Sequence, residues 1–127
     1  MNRQTEIVAA GSYSGIVEAT NVVVRTRSDF KKLWAQHQSK SFPPAPLPRF
    51  DFRKDMIIAV FAGTRNSGGW SVEVKKILTV PGGLSVQVAV EKPKSGASMA
   101  ISQPFCIVGT KKINRSEMGP CIWTWLS

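Results

Sequence analysis

Leu84, Val86, Val88 and Val90 alternate with Ser85, Gln87, Ala89 and Glu91, and Trp70, Val72 and Val74 alternate with Ser71, Glu73 and Lys75. A two-residue period puts every second side chain on one face, so each run reads as a strand with one dry and one wet side. Pro81-Gly82-Gly83 between them reads as a tight hairpin turn. Met56-Ile57-Ile58-Ala59-Val60-Phe61 is apolar at every position, the pattern of a central strand covered on both faces. Ile16 to Thr26 contains the β-branched run Val22-Val23-Val24 and is a further strand. Pro104 to Ile113 is another, and Cys121 to Leu126 is a last short one after a turn at Met118-Gly119-Pro120. Links of hairpin length imply antiparallel pairing, because a parallel crossover needs a dozen or more residues.

One helix interrupts the strands. Phe30, Leu33 and Trp34 fall at i, i+3 and i+4 and form one apolar stripe over about Asp29 to Gln38,. Ser28 stands as its N-cap, with Asp29 in the first turn near the positive end of the helix dipole. The segment Ser41 to Pro48 must end the helix, because Pro43, Pro44, Pro46 and Pro48 fix φ and remove backbone donors,. It reads as an extended surface crossover. Residues 1–14 are mixed in character and read as loose.

The expected fold is mainly β (α+β): an antiparallel β-sandwich or partial barrel of about six strands. The helix lies against one face or plugs an end. The 127 residues suit a single domain, 1–127, with the strand and helix at about 16–38 and the proline-rich crossover at 41–48,. No run approaches the roughly 18 apolar residues that span a bilayer.

The net charge of +9, from 17 Lys and Arg against 8 Asp and Glu, favours acidic partners such as nucleic acid, an anionic membrane surface or an acidic protein,. The plainer reading is a basic soluble surface. Lys75-Lys76 and Lys111-Lys112 are adjacent within strands, so each pair is expected to split across two faces. Met1 to Ala10 has no hydrophobic stretch of signal-peptide length. The protein therefore either stays in the cytoplasm or is exported by a signal that this sequence no longer carries. Cys106 and Cys121 lie 15 positions apart. A disulfide there would add roughly 3 kcal/mol by loop closure in an oxidising compartment, and two small buried thiols are the equal alternative.

Catalytic machinery is sparse. His37 is the only histidine, so any Ser-His or Cys-His arrangement must use it. It sits between Gln36 and Gln38 at the helix end and reads as a surface residue. His37, Cys106 and Cys121 are too few and too scattered for a structural metal site. Asp51, Asp55, Glu73 and Glu91 bracket no glycosidase-type pair. No enzyme activity, metal or cofactor is expected. The glycine-rich segment Gly63 to Gly69 carries Arg65 but lacks the Lys-Ser/Thr ending of a phosphate-binding loop, and it links two strands.

That segment is nevertheless the best candidate for binding. Arg65, Asn66, Ser67, Gly68, Gly69 and Trp70 combine paired glycines, which permit close backbone approach, with a large rigid aromatic of the kind that anchors interfaces. By its alternation with Val72 and Val74, Trp70 has a second reading as a core residue.

Phe50 to Gly63 and Asn66 to Val74, followed by Pro104-Phe105 and Ile107-Val108, resemble the C-terminal domain of the bacterial protease-complex subunit PrcB family. The family pattern is an acidic-aromatic lead, an apolar strand ending in Gly, a Thr-Gly-Gly-Tyr-like turn and a later Pro-aromatic step. Here the turn is Ser67-Gly68-Gly69-Trp70, with Trp70 in place of tyrosine. The match covers about residues 50–115, and the helix with Phe30, Leu33 and Trp34 is similar to a segment that often precedes the domain. The resemblance leaves Cys121 to Trp125 unplaced. It implies a small β-rich domain of cell-envelope or secreted bacterial proteins: periplasmic, lipid-anchored or secreted. It also implies an accessory role beside a protease. Adding the Pro-aromatic step gives a candidate binding set of Arg65 to Trp70 with Gln103, Pro104 and Phe105.

A second likeness is to the chagasin-like inhibitors of cysteine proteases, in which three loops at one end of a β-sandwich block the active-site cleft. The counterparts here are Ser67 to Trp70, Lys94 to Ala97, and Gln103 to Phe105, without the Asn-Pro-Thr-Thr-Gly motif. A third reading is a polyanion or nucleic-acid binder, with Trp123 and Trp125 stacking bases. The expected partner is another protein, in particular a protease, and not a specific nucleic acid.

Overall fold

The computed structural model describes residues 3–94, 98–114 and 119–126. In chain order the elements are β1 (Thr5–Gly11), β2 (Thr20–Val24), α1 (Arg27–His37), β3 (Asp55–Phe61), β4 (Ser71–Val80), β5 (Gly83–Glu91), β6 (Phe105–Lys111) and β7 (Cys121–Leu126). They make a four-stranded sheet, β1-β6-β3-β2, and a three-stranded sheet, β4-β5-β7. The fold is sandwich-like and α+β, with no closed barrel.

The all-apolar run at Met56 to Phe61 is the hinge of the architecture. Met56, Ile58 and Val60 face the three-stranded sheet and meet Val72, Val74, Ile77, Leu84, Val86 and Val88. Ile57, Ala59 and Phe61 face the other way and meet Phe30 and Trp34 of the helix, with Phe105 and Ile107. The strand is thus covered on both sides, as its composition requires. The helix lies across the outer face of the four-stranded sheet. Phe30 is fully buried there, so its truncation would cost about 3–5 kcal/mol.

Three sequence expectations change. The helix is capped by Thr26, whose Oγ1 accepts the Asp29 backbone N–H at 3.1 Å, and Ser28 falls inside the first turn. The N-terminal residues are not loose. Thr5–Gly11 is a seventh strand, antiparallel to β6 with Thr5 opposite Thr110 and Gly11 opposite Phe105. The last strand does not pair antiparallel. The β6–β7 link crosses between sheets, and β7 joins β5 in parallel with Val86 opposite Trp123 and Val88 opposite Trp125. Of the turn expected before it, Met118 lies outside the described residues.

The proline-rich crossover is strapped to the helix: Trp34 Nε1–H donates to Ala45 O at 3.0 Å, and the Ala45 N–H donates to Gln38 Oε1 at 2.8 Å. No described helix is long and apolar enough to cross a membrane.

Candidate functional site

The chain leaves β3 at Phe61 and turns at Gly63, whose φ of 81° lies in the left-handed region that favours glycine,. A Cβ there would stand 2.9 Å from the Ala19 backbone nitrogen. The loop that follows is zipped to the segment before β6. Arg65 and Ser102 exchange backbone hydrogen bonds of 2.8 and 3.0 Å, and the Gly68 N–H donates to Ser98 O at 3.1 Å. The Ser102 hydroxyl, fully buried, donates to Ser67 O at 2.7 Å. The Ala62 N–H donates to Pro104 O and the Gln103 N–H to Ser12 O. The 65–68 segment is therefore hydrogen-bonded to 98–102, the stretch that leads directly into 103–105.

Within it the side chains have unequal access. Asn66 and Gly69 are exposed, Arg65, Ser67, Trp70 and Gln103 are half-buried, and Gly68, Pro104 and Phe105 are buried. Phe105 belongs to the helix-side core, its ring centroid 4.2 Å from that of His37. The Pro-aromatic step is therefore not a presented loop, which corrects the expectation for Pro104 and Phe105. The middle segment of the inhibitor-like layout, Lys94 to Ala97, lies outside the described residues from Ser95 onward.

Trp70 is not a core residue. Its indole N–H donates to Ser67 Oγ at 3.2 Å, and the Arg65 guanidinium lies over its ring, 4.8 Å from the centroid. The Val72–Val90 and Val88–Trp125 pairings put Val90 and Trp125 on the same face of the three-stranded sheet as the inward-pointing valines,. Trp70 shares that face by alternation. At this end the opposing sheet no longer covers them, and a cleft of about 580 Å³ opens. Its lining is Arg65, Trp70, Val90, Glu91, Lys92, Trp125 and Leu126. Trp125 and Leu126 remain 38% and 44% exposed, large for apolar side chains on a strand,. Arg65 Nε is buried without a hydrogen-bond partner among the described residues. The floor is aromatic and aliphatic and the rim carries Arg65, Lys92 and Glu91, a composition suited to an apolar side chain flanked by polar groups.

Residues 56–111 match the family model described as PrcB C-terminal. Over that stretch the chain is similar to the PrcB C-terminal family. The match runs from the start of β3 to the end of β6, so it takes in both core strands and the whole 62–70 loop, while β7 and the helix stand outside it. The family suggests an accessory domain of a protease-associated protein. No curated protein and no solved structure matches the chain.

His37, expected at the surface, is 3% exposed. Its Nδ1 lies 2.8 Å from Ser14 Oγ, and Trp34 and Phe105 pack on its ring. The Ile16 N–H donates to the same Ser14 oxygen, which leaves the hydroxyl hydrogen for Nδ1. Burial holds the imidazole below its ordinary pKa, so it is a neutral residue that ties the 12–16 loop to the helix end. Among the described residues no three His, Cys, Asp or Glu side chains cluster as metal ligands. Cys106 and Cys121 are free thiols on the inter-sheet core. Burial raises both thiol pKa values, that of Cys121 to about 11.

Reasoning from sequence reached the loop half of the cleft and missed the strand half. The signal available was Cys121-Ile122-Trp123-Thr124-Trp125, whose alternation gives Trp125 an inward direction, but only the parallel pairing with β5 brings it next to Trp70.

Proposed function

We propose that this PrcB-like domain is a non-catalytic, protein-binding module of the bacterial cell envelope that associates with a protease and engages it through the Trp70–Trp125 cleft. The observation that carries the reading is that cleft: two tryptophans and Val90 on an inward-facing sheet surface that nothing described covers, beside a loop locked by buried hydrogen bonds. A rigid aromatic pocket with a charged rim is how interfaces concentrate binding energy. Strand β7 borders the cleft, pairs on one side only and carries no charged residue from Cys121 to Leu126. Its open edge offers a partner segment backbone hydrogen bonds while a side chain enters the cleft.

The test is affinity capture from the native host's envelope fraction, with bound proteins identified by mass spectrometry. The wild-type chain is expected to retain a protease or protease-complex subunit, and Trp125→Ala to lose it, by roughly 30-fold in affinity for a residue of this kind. Undiminished capture by both Trp125→Ala and Arg65→Ala, or capture without any protease-complex protein, would refute the reading.

A further inference from the structure

The opposite end of the four-stranded sheet, where Asp55 at the start of β3 pairs with Lys111 at the end of β6, is strongly basic. Arg25, Arg27, Arg49, Arg53, Lys54, Lys111 and Lys112 line two adjoining concavities of about 510 and 490 Å³ that share Arg53. Seven of the chain's 17 basic side chains meet there, against Asp51 and Asp55 as the acidic lining among the described residues.

Lys111 and Lys112 were expected to split across two faces. They do not, because β6 stops at Lys111. The Lys112 N–H donates to Lys54 O at 2.9 Å, and its ammonium donates to Phe52 O at 2.8 Å. Both lysines therefore line one concavity. The Asp51 carboxylate is already committed to Arg53, whose Nε and backbone N–H donate to it at 3.1 and 3.0 Å. Arg27, Arg49, Lys54 and Lys111 are exposed and form no ion pair among the described residues. Like charges crowded on a concave surface repel one another, and an anion relieves that repulsion.

The chemistry of the groups narrows the anion. Two of the four exposed cations without an ion pair among the described residues, Arg27 and Arg49, are arginines, whose planar forks match the paired oxygens of a phosphoryl group,. Among the described residues lining this end, no aromatic ring is free to stack on a base. Phe50 lines the second concavity, but its ring is held against Phe30 and Phe52 in the helix-side core. The exposed tryptophan sits at the other end of the molecule. Single-stranded nucleic acid, which pairs basic grooves with aromatic stacking, fits this surface poorly.

We infer that the Arg49–Lys111 end is a binding site for phosphoryl groups, carried by anionic phospholipid head groups or by a soluble polyphosphate. The full chain is tested by calorimetric titration with inorganic tripolyphosphate. In parallel it is co-sedimented with vesicles of phosphatidylcholine alone or mixed equally with phosphatidylglycerol. The variant Arg49→Gln/Lys54→Gln/Lys111→Gln removes three exposed charges from the site, and Lys40→Gln/Lys76→Gln/Lys94→Gln removes three from elsewhere. Wild type is expected to bind one or both probes, less tightly as salt is raised. Which probe is bound identifies the source. The site variant is expected to lose at least about tenfold in affinity and the remote variant only a few-fold. Equal losses in the two variants, no binding to either probe, or preferential binding of a single-stranded oligonucleotide would overturn the assignment. The site is remote from the tryptophan cleft, so its failure leaves the protein-binding reading standing, and the reverse.

Discussion

The Arg65 guanidinium lies 4.8 Å from the centre of the Trp70 ring, and the same indole donates its N–H to Ser67 Oγ at 3.2 Å. The two contacts fix the pose of the tryptophan from above and from its edge. A cation over an indole at a partly exposed site is worth about 0.5–1 kcal/mol, and the neutral hydrogen bond about 1 kcal/mol. Arg65→Ala and Ser67→Ala are each expected to lower the melting temperature by about 4 °C. In a double-mutant cycle, Arg65→Ala with Trp70→Phe should show a coupling near 0.5–1 kcal/mol by urea unfolding. Strict additivity would mean that the stacked arrangement contributes nothing.

The glycines of the loop separate by role. Gly63 and Gly69 hold φ of 81° and 85°, whereas Gly68 is not among the positive-φ residues. A Cβ on Gly68 would meet the tip of the Ser98 side chain, which can rotate away. A Cβ on Gly63 would meet the Ala19 backbone, which cannot. Gly63→Ala is therefore expected to destabilise by about 2 kcal/mol or more, Gly69→Ala by about 1 kcal/mol and Gly68→Ala least. Chemical denaturation of the three variants gives the order. A Gly68→Ala variant weaker than Gly63→Ala would contradict it.

Local pattern revealed the strands that carry their own period. The alternation at Val72 to Val90 and the apolar run at Met56 to Phe61 specify β4, β5 and β3 because each face of those strands has one constant environment. Strand β1 was illegible because Thr5–Gly11 has no such period. It is a strand because β6 offers it a ladder. His37 and Phe105 are illegible for a related reason. Nothing beside His37 in sequence reports that Ser14 and Phe105 close over it, and nothing beside Phe105 reports the His37 ring. The cleft was half legible, since Trp70 follows a glycine-rich turn but Trp125 reaches it only through a parallel pairing between sheet edges. The basic end was hidden because its arginines and lysines come from three separated segments, 25–27, 49–54 and 111–112.

The two thiols give a third expectation. Cys106 is buried in β6 and Cys121 half-buried at the start of β7, and burial raises both thiol pKa values. With Cys121 near pKa 11, almost no thiolate is present at neutral pH, and thiolate is the reactive form. In the folded protein both should react with a thiol reagent far more slowly than free cysteine, and two thiols should appear at once on denaturation. Fast labelling of the native protein at neutral pH would place a cysteine outside the core.

The pH dependence of stability follows from His37. Its folded pKa is held below the ordinary value of 6.5 by desolvation, so the unfolded chain binds a proton that the folded chain refuses. Linkage then fixes the sign: stability is fully present above pH 6.5 and is lost as pH falls from there toward the lower folded value,. The geometry agrees. Protonation would place a hydrogen on Nδ1, facing a Ser14 oxygen that already accepts the Ile16 N–H, and would put a charge among Trp34, Phe61 and Phe105. Urea unfolding in steps from pH 8 to pH 5 should show a midpoint that is flat at first and declines below about 6.5. His37→Gln keeps a polar group for Ser14 but cannot titrate. It should start from a lower midpoint, because packing on Phe105 is lost, and then stay flat through the same window. A wild-type midpoint that does not fall, or a variant that falls in parallel with it, would show that another group governs the acid side.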